Sequence, residues 1–366
     1  MIQDLKIGIV GCGMIGNAKH LPSIRAFKEK YGHIEIVAFC DNFADGKRAE
    51  ESAKKFGASD ARVYVDYKEM LETEDLDIVH VCTTNSLHSK VSIAAMKAGA
   101  HVICEKPMAR NSEEAEAMLN AARETQKLLT IGFQNRYRSD AQYIKKMQEN
   151  GDFGEIYVAK ARGVRRRNVP VWGQFLNKEE QGGGPLVDIG CHALDLTLWL
   201  MDNYEVKSVI GNVYHEIAKQ TGTANAHGDW DPANFEVEDS AFGFITMKNG
   251  ATVTLDCSWA LNTLDTGESR CTLYGTKAGC DMRDGLRING VENNTLYIKS
   301  LNLDTDNPGY YSGESVETHQ KEVEIFYNAV LGKGDLVVKP EQTLVITKII
   351  DAIYASSQSG EAVLFE

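Results

Sequence analysis

Short apolar runs separated by amphipathic stretches are the feature that most constrains the fold of this 366-residue chain. Strands that alternate with helices in this way form βαβ units around a parallel sheet covered on both faces. Residues 111–114 read N-x-x-E, which is the pattern of a helix start. We therefore predict an α/β domain with a doubly wound parallel sheet over residues 1–133. Its predicted strands are 5–10, 34–40, 76–82, 100–104 and 128–132.

The pattern changes after about residue 134. One helix is expected near residues 139–150, followed by strand-like runs joined by Gly- and Asn-containing turns, as in antiparallel meanders. We predict that residues 134–366 form an α+β domain with one open, mainly antiparallel sheet and helices on one face. Helices near 319–331 and 340–357 close the chain, and residues 218–236 are expected to form a long loop.

Bulk properties exclude several classes of partner. The formal net charge is −13, which repels phosphate backbones and anionic lipids, so we expect no nucleic-acid or membrane partner. The chain enters a strand pattern directly and shows no signal-peptide pattern. Its eight cysteines form no C-x-x-C pair, and several end apolar runs, which suits buried thiols in a reducing cytoplasm.

A glycine-rich turn follows the first predicted strand. Gly11, Gly13 and Gly16 form G-x-G-x-x-G, with Met14 and Ile15 between them. In this context the first glycine allows a tight turn, the second lets the backbone approach a pyrophosphate, and the third lets helix pack on strand. The turn therefore predicts dinucleotide binding at a helix N-terminus, although a purely structural glycine turn is the alternative.

Asp41 follows the second predicted strand, where an acidic residue accepts hydrogen bonds from a ribose diol. Its charge would repel a 2′-phosphate, and the nearest cations, Lys47 and Arg48, lie further along the chain. We therefore expect NAD rather than NADP as the cofactor. The alternative is that Asp41 merely ends the strand.

Polar residues also follow the next two predicted strands. Ligands of doubly wound sheets bind beyond the carboxyl ends of the strands, so these residues are candidates for cofactor contacts. Lys106 would then lie beside the dinucleotide, although most lysines at strand ends are only solvated. The candidates are Thr83, Thr84, Asn85, His88, Glu105 and Lys106.

A predicted buried helix carries charged residues that need a reason. At about 100° per residue, Asp188, His192, Asp195 and Trp199 form one stripe on an otherwise apolar helix. One interpretation is that Asp188 caps the helix and His192 is a satisfied core histidine. Another is a metal site, which we do not expect because no separate His/Cys cluster accompanies it. A third is catalysis.

Five segments in this order resemble the Gfo/Idh/MocA family of NAD(P)-dependent sugar oxidoreductases, and the resemblance covers essentially the whole chain. They are GCGMIG, TTNSLH, AGAHVICEKPMA, GFQNRY and GGGPLVDIGCHALDL. The segment RRRNVPVWGQFLNKEEQGGGP resembles a subgroup that includes levoglucosan dehydrogenase and C-glycoside 3-oxidases. The family resemblance implies a catalytic group of Lys106, Asp188 and His192. It also implies a homo-oligomer (dimer, tetramer or larger) formed through the open sheet.

Alcohol oxidation by NAD needs a group that removes the hydroxyl proton, and a histidine does so without tuning. We expect His192 to be the base and Lys106 to stabilise developing negative charge on the oxygen, while the reversed assignment stays open. Asp188 would orient the imidazole or bind a neighbouring hydroxyl. The expected reaction is oxidation of a ring secondary hydroxyl, at C3, of a sugar or glycoside. Alternatives are a glycosidase acting by oxidation and elimination, an inositol or polyol dehydrogenase, and a non-catalytic NAD-sensing protein.

Substrate contacts are expected from aromatic faces and polar side chains. Tyr137 and Trp172 are the aromatic candidates, and Arg165 is the cationic one. Gln134 lies at the predicted domain junction, and we assign it and Trp172 to the cofactor side as well. The alternative for each aromatic residue is ordinary packing, and for Arg165 it is a solvated or interface role.

Overall fold

The computed structural model describes residues 4–301, 303 and 317–365. The N-terminal part of the chain follows the predicted alternation of strands and helices. Its elements are β1 (Leu5–Val10), a π-helical turn (Gly16–His20), α1 (Leu21–Tyr31), β2 (Ile34–Cys40), α2 (Lys47–Lys55), β3 (Arg62–Tyr64), α3 (Tyr67–Thr73), β4 (Ile78–Val81), α4 (Asn85–Lys97), β5 (His101–Cys104), α5 (Ser112–Thr125), β6 (Leu129–Ile131) and a 3₁₀ turn (Gln134–Tyr137).

The remaining elements are mostly strands. They are α6 (Ser139–Glu149), β7 (Ile156–Val164), α7 (Lys178–Gln181), a π-helical turn (Leu186–Gly190), α8 (Cys191–Met201), β8 (Val206–Tyr214), a 3₁₀ turn (Pro232–Asn234), β9 (Ser240–Met247), β10 (Thr252–Ser258), β11 (Gly267–Gly275), β12 (Ala278–Asp281), β13 (Leu286–Glu292), β14 (Thr295–Leu301), α9 (Glu317–Val330), α10 (Pro340–Ser359) and β15 (Val363–Leu364).

The chain forms two compact units. The first contains the described residues of Met1–Tyr137 and Asp306–Leu344, and the second those of Arg138–Thr305 and Val345–Glu366. The predicted division into 1–133 and 134–366 differs from these bounds, because residues 317–344 belong to the first unit. The physical reason is that α9 is amphipathic and its apolar face, including Phe326 and Tyr327, packs into the core around Ile7 and Phe39.

The first unit is built on a six-stranded sheet with the order β3-β2-β1-β4-β5-β6, in which every pair is parallel. This confirms the predicted doubly wound fold and its five predicted strands. β3 was not predicted because its three residues are too few for a periodic pattern. The topology brings the loops after β1, β2, β4 and β5 to one edge of the sheet.

The second unit contains a nine-stranded sheet with the order β14-β13-β12-β11-β7-β10-β9-β8-β15. Only the β7–β10 pair is parallel, which confirms a mainly antiparallel sheet. The sequence predicts strand-like runs at 206–217, 239–249, 251–261, 268–276 and 295–301, and these form β8, β9, β10, β11 and β14. β12, β13 and β15 were not predicted. They are short or carry Gly and Asn, so alternation does not mark them.

Helices cover one face of this sheet, and the described strands leave apolar side chains exposed on the other face. A Cβ atom at Gly243 would lie 2.9 Å from Cδ1 of Ile353 in α10, so the glycine allows the helix to pack closely. On the opposite face, the neighbouring residues Ile210 and Phe244 are both exposed, as is Ile298 on β14. In the described part of the chain, no helix combines the length and apolar character needed to cross a membrane.

The start of α5 confirms the predicted helix signal. The side chain of Asn111 accepts a hydrogen bond from the Glu114 N–H (2.9 Å), and the Glu114 carboxylate pairs with Arg110. We predict that Asn111→Ala lowers the free energy of unfolding by about 1 kcal/mol, because the helix loses its cap. Thermal or urea unfolding of the purified protein measures this change. Asn111→Asp, which keeps a capping oxygen, should retain wild-type stability; equal losses in both variants would contradict the capping role.

Candidate functional site

The glycine-rich turn has the geometry that a dinucleotide cradle requires. Gly11 has φ +96°, and a Cβ there would collide with the backbone of Cys82, which directly follows β4. A Cβ at Gly16 would lie 2.6 Å from the carbonyl oxygen of Gly11, whereas one at Gly13 would meet nothing within 4 Å. The first and third glycines are therefore required for packing, and the second leaves open space beside the backbone.

Asn17, which the sequence reading missed, fixes the shape of this turn. Its side-chain amide donates to the carbonyl of Cys12 (2.6 Å) and lies 3.2 Å from that of Gly13. Ser52 on α2 in turn donates to the Asn17 oxygen (3.0 Å). The residue immediately follows the third glycine, so its place in the motif was the available signal.

Asp41 lies at the end of β2 and is buried, with its carboxylate close to the glycine turn. It accepts hydrogen bonds from the backbone N–H groups of Cys12 (2.8 Å) and Phe43 (2.8 Å). The two oxygens also receive Nε and Nη2 of Arg48 (3.0 and 2.9 Å). The guanidinium carbon of Arg48 lies 4.4 Å from the ring centroid of Phe43. The pairing of Arg48 with Asp41 could not be predicted from the sequence, because α2 brings back a residue seven positions away.

Thr83, Thr84 and Asn85 follow β4 and form the entry to α4, with Thr84 preceding the first helical residue. Their backbone therefore presents a helix N-terminus at the same sheet edge. His88, one turn into α4, is buried, and its ring nitrogens lie 2.8 Å from the Pro107 carbonyl and 3.2 Å from the Thr83 carbonyl. Burial lowers the pKa of His88. The residue thus links the loops after β4 and β5, and its contact with a dinucleotide stays a prediction.

Glu105 and Lys106 follow β5. Glu105 is buried, its Oε1 lies 2.8 Å from Nε2 of His20, and its Oε2 accepts the N–H of Lys106 (3.2 Å). Burial alone would raise the pKa of Glu105, but the hydrogen bond and charge of His20, with smaller effects of His319 and Lys106, lower it to about 2. A charged carboxylate is therefore fixed at the backbone of the predicted catalytic lysine, which is itself half-buried.

Gln134 and Tyr137 lie at the two ends of the 3₁₀ turn that follows β6, and both are buried. The first unit thus brings to one sheet edge the predicted residues that follow β1, β2, β4, β5 and β6. The grouped residues are Gly11, Gly13, Met14, Ile15, Gly16, Asp41, Thr83, Thr84, Asn85, Glu105, Lys106, Gln134 and Tyr137.

In the second unit, Asp188 and His192 lie where the π-helical turn Leu186–Gly190 continues into α8, and both are buried. Asp188 Oδ2 accepts a hydrogen bond from the indole Nε1–H of Trp259 (2.9 Å). Asp188 does not cap the helix, which corrects that alternative: it lies within the helical turn, and its carboxylate oxygen is directed to Trp259. Trp259 on the segment after β10 was missed because it reads as an ordinary apolar strand residue.

Arg165 adds a second partner to this carboxylate. Its Nη1 lies 3.8 Å from Asp188 Oδ2, while its Nε and Nη2 form a bidentate pair with Glu268 (2.7 Å each). Arg165 is 3% exposed and is therefore an internal cation between two carboxylates. This geometry excludes the alternative of a solvated arginine, and direct contact of Arg165 with substrate stays a prediction.

Glu238, also missed by the sequence reading, holds the entry to the Asp188 helix. Its carboxylate accepts the N–H groups of Gly184 (2.9 Å) and Leu186 (3.0 Å) and the hydroxyl of Tyr354 (2.9 Å). Burial raises the pKa of Glu238. The triple-glycine stretch is needed here, since a Cβ at Gly184 would collide with the carbonyl of Glu238.

Trp172 is half-buried and belongs to a series of edge-to-face aromatic contacts. Its ring centroid lies 4.6 Å from that of His227 and 5.8 Å from that of Phe175. Phe175 lies 6.3 Å from Trp259, the residue that donates to Asp188. The second unit therefore groups Trp172, Arg165, Asp188 and His192 on connected elements. Among the described residues, no His, Cys, Asp and Glu side chains form a cluster suited to a metal ion.

Comparisons with known proteins match both units to one family. Residues 5–133 match the family model described as "Oxidoreductase family, NAD-binding Rossmann fold" of Gfo/Idh/MocA, and residues 145–365 match its "C-terminal alpha/beta domain". D-glucoside 3-dehydrogenase of Escherichia coli K12 is 34% identical over 361 residues, which cover 99% of this chain and 97% of the relative.

Levoglucosan dehydrogenase of Pseudarthrobacter phenanthrenivorans is 28% identical over 269 residues, covering 70% of this chain and 68% of the relative. A solved structure of levoglucosan dehydrogenase with NADH and levoglucosan has a TM-score of 0.81 at 23% identity, covering 99% of both chains. This likeness supports the fold. The family match and the turn at Gly11–Gly16 together identify NAD as the cofactor.

The Asp41–Arg48 pair predicts how cofactor preference can be changed. In Asp41→Ser, we expect NAD affinity to fall about 10-fold, because charged hydrogen bonds to the ribose are lost. NADP affinity should rise, because Arg48 is released to meet a 2′-phosphate. Titration calorimetry with both cofactors measures this. The double variant Asp41→Ser/Arg48→Ala should lose the gain for NADP. Unchanged NADP affinity in Asp41→Ser would contradict the role given to Arg48.

Proposed function

This chain belongs to the Gfo/Idh/MocA family and is an NAD-dependent sugar dehydrogenase, and we propose that it oxidises the C3 hydroxyl of a glucoside to a ketone. The observation that carries the proposal is the whole-length similarity to a relative named D-glucoside 3-dehydrogenase. A relative named levoglucosan dehydrogenase also supports a sugar substrate with an intact ring. A polyol substrate has weaker support, since the relatives named inositol 2-dehydrogenase match only 57% of this chain.

The residues at the carboxyl edge of the first sheet suit NAD. The backbone beside Gly13 has open space, the N-terminus of α4 provides N–H groups, and Asp41 provides an acceptor for a ribose diol. Arg48 neutralises part of the charge of Asp41 while leaving the carboxylate in place. When bound, NAD supplies the acceptor for the hydride that leaves the substrate carbon.

Proton transfer is assigned to three side chains. We place His192 as the base that takes the hydroxyl proton, and Lys106 as the donor that stabilises negative charge developing on that oxygen. Asp188 is fixed by Trp259 and Arg165, so it can orient the imidazole or a neighbouring sugar hydroxyl. The balance is one hydride to NAD and one proton to His192, which leaves the ketone.

Substrate recognition is assigned to side chains around these groups. The ring of Trp172 is half-buried and provides an aromatic face for a sugar. Arg165 acts through Asp188 and Glu268, and Tyr137 contributes from the end of the 3₁₀ turn.

The open face of the nine-stranded sheet supports a homo-oligomer. Exposed Ile210 and Phe244 lie side by side on β8 and β9, and Tyr274 and Ile298 extend the apolar surface on other strands. Apolar surface of this kind is covered in many assemblies.

The eight cysteines are all free and buried, which fits a reducing cytoplasm.

The substrate class is tested by incubating the purified enzyme with a panel of glycosides, with and without added NAD, and searching by mass spectrometry for products that have lost two hydrogens. We expect glucosides to be oxidised and the product to be the 3-ketone by NMR. Oxidation of inositols alone, or cleavage of the glycosidic bond as the primary event, would contradict the proposal. Product formation without added NAD would identify an enzyme that retains its cofactor.

Replacement of Lys106 tests the catalytic assignment. We predict that Lys106→Ala lowers kcat by about 1000-fold, in the range of lost acid–base and electrostatic catalysis, while the Kd for NAD changes little. Steady-state kinetics and fluorescence titration measure the two quantities. Lys97→Ala, an exposed lysine at the end of α4, is the matched control and should behave as wild type. Retained turnover in Lys106→Ala would reject the assignment.

A further inference from the structure

A chain of buried hydrogen bonds in the first unit leads from α9 to Glu105. Tyr327 Oη lies 2.7 Å from His80 Nε2, His80 Nδ1 lies 2.8 Å from His20 Nδ1, and His20 Nε2 lies 2.8 Å from Glu105 Oε1. The four side chains are between 0% and 6% exposed. His20, His80 and Tyr327 belong to none of the sequence motifs, and they take no part in the proposed proton transfer.

The two ends of this hydrogen-bond chain restrict where its protons can lie. An ionised Glu105 only accepts hydrogen bonds, so His20 Nε2 carries a hydrogen. With both histidines neutral, His80 Nδ1–H donates to His20, and Tyr327 donates to His80 Nε2. With His20 protonated, the two other bonds reverse, and His80 donates to Tyr327. In both arrangements His20 donates to Glu105, and in the neutral one the Tyr327 hydroxyl also donates within the series.

Burial keeps His80 and Tyr327, at the far end of the hydrogen-bond chain from Glu105, uncharged. It lowers the pKa of His80 well below the usual range, with a smaller effect of His20, and it raises the pKa of Tyr327. Burial also lowers the pKa of His319, the other nearby histidine, to about 3. Glu105 is thus the stable anion of the group. His319 and Lys106 also lower the pKa of Glu105, and Lys19 lowers that of His319.

Glu105 is held from two further sides. Its Oε2 accepts the backbone N–H of Lys106 (3.2 Å), so one carboxylate joins His20 to the backbone of the lysine. The Cα of Gly132 lies against the same carboxylate, since a Cβ there would lie 3.3 Å from Oε1. Any side chain at Gly132 would therefore press on Glu105.

We propose that Glu105 is a positioning residue for Lys106, and that His20, backed by His80 and Tyr327, holds its carboxylate in the orientation that fixes the Lys106 backbone. The inference rests on the proposed catalytic role of Lys106. Small displacements of a reacting group reduce rates strongly. Loss of this hydrogen-bond chain should therefore lower kcat more than it weakens the binding of substrate or cofactor.

The test compares His20→Leu, which removes the donor to Glu105, with His20→Gln, whose side-chain amide restores one. His101→Leu is the matched control: it removes another histidine of the same unit, which accepts the N–H of Leu128 (2.9 Å) at the opposite end of β5. Hydrogen–deuterium exchange of a peptide that contains Lys106 reports on its backbone independently of turnover. kcat, KM and the Kd for NAD are measured on the same preparations.

We expect His20→Leu to accelerate exchange at the Lys106 amide and to lower kcat by about 30-fold, with the Kd for NAD changed less than about 3-fold. His20→Gln should restore most of both losses, and His101→Leu should show neither. If His20→Leu does not fold, Tyr327→Phe takes its place, with a smaller expected loss of kcat of about 3-fold.

Two results would overturn the proposal. One is faster exchange at Lys106 with an unchanged kcat, which would show that the contact is only structural. The other is an equal loss of kcat in His20→Gln and His20→Leu. If the wild-type enzyme oxidises no glycoside, the proposed function fails. The exchange measurement still decides whether the hydrogen-bond chain fixes the Lys106 backbone.

Discussion

The proposed chemistry depends on three buried carboxylates, and each must be satisfied, because an unpaired buried charge costs on the order of several kcal/mol. Asp41 accepts backbone N–H groups and Arg48, Glu105 accepts His20 and the Lys106 backbone, and Asp188 accepts Trp259 beside Arg165. Three of the donors come from far away in sequence: Cys12 is 29 residues from Asp41, His20 is 85 from Glu105, and Trp259 is 71 from Asp188. The charges that can serve a reaction are therefore also the points at which the fold is most strongly specified.

Two π-helical turns lie next to these carboxylates. Gly16–His20 connects the glycine turn to α1 and ends in the histidine that donates to Glu105. Leu186–Gly190 contains Asp188 and continues into α8. Such turns occur often at functional sites because they shift the direction of side chains within a helix. In both units the shift coincides with a residue that the proposed chemistry needs or positions.

The sequence predicted the elements with strong periodicity and the motifs with fixed local spacing. The parallel strands, Asn111 at the start of α5, and the turn at Gly11 follow from local patterns that the structure confirms. Pairings between different elements could not be predicted, since a single sequence does not show that Arg48 on α2 returns to Asp41 or that Trp259 meets Asp188. The placement of Tyr327 in the first core was missed for the same reason, because periodicity shows an apolar face but not its partner.

We propose that a sugar loses hydride from C3 to NAD while His192 takes the hydroxyl proton and Lys106 stabilises charge on the oxygen. The most direct measurement uses methyl β-D-glucopyranoside carrying deuterium only at C3, with mass spectrometry of the reduced cofactor and of the ketone. We expect the deuterium to appear in the reduced cofactor and to be absent from the sugar product. Deuterium retained in an oxidised sugar, with an unlabelled reduced cofactor, would contradict the proposal.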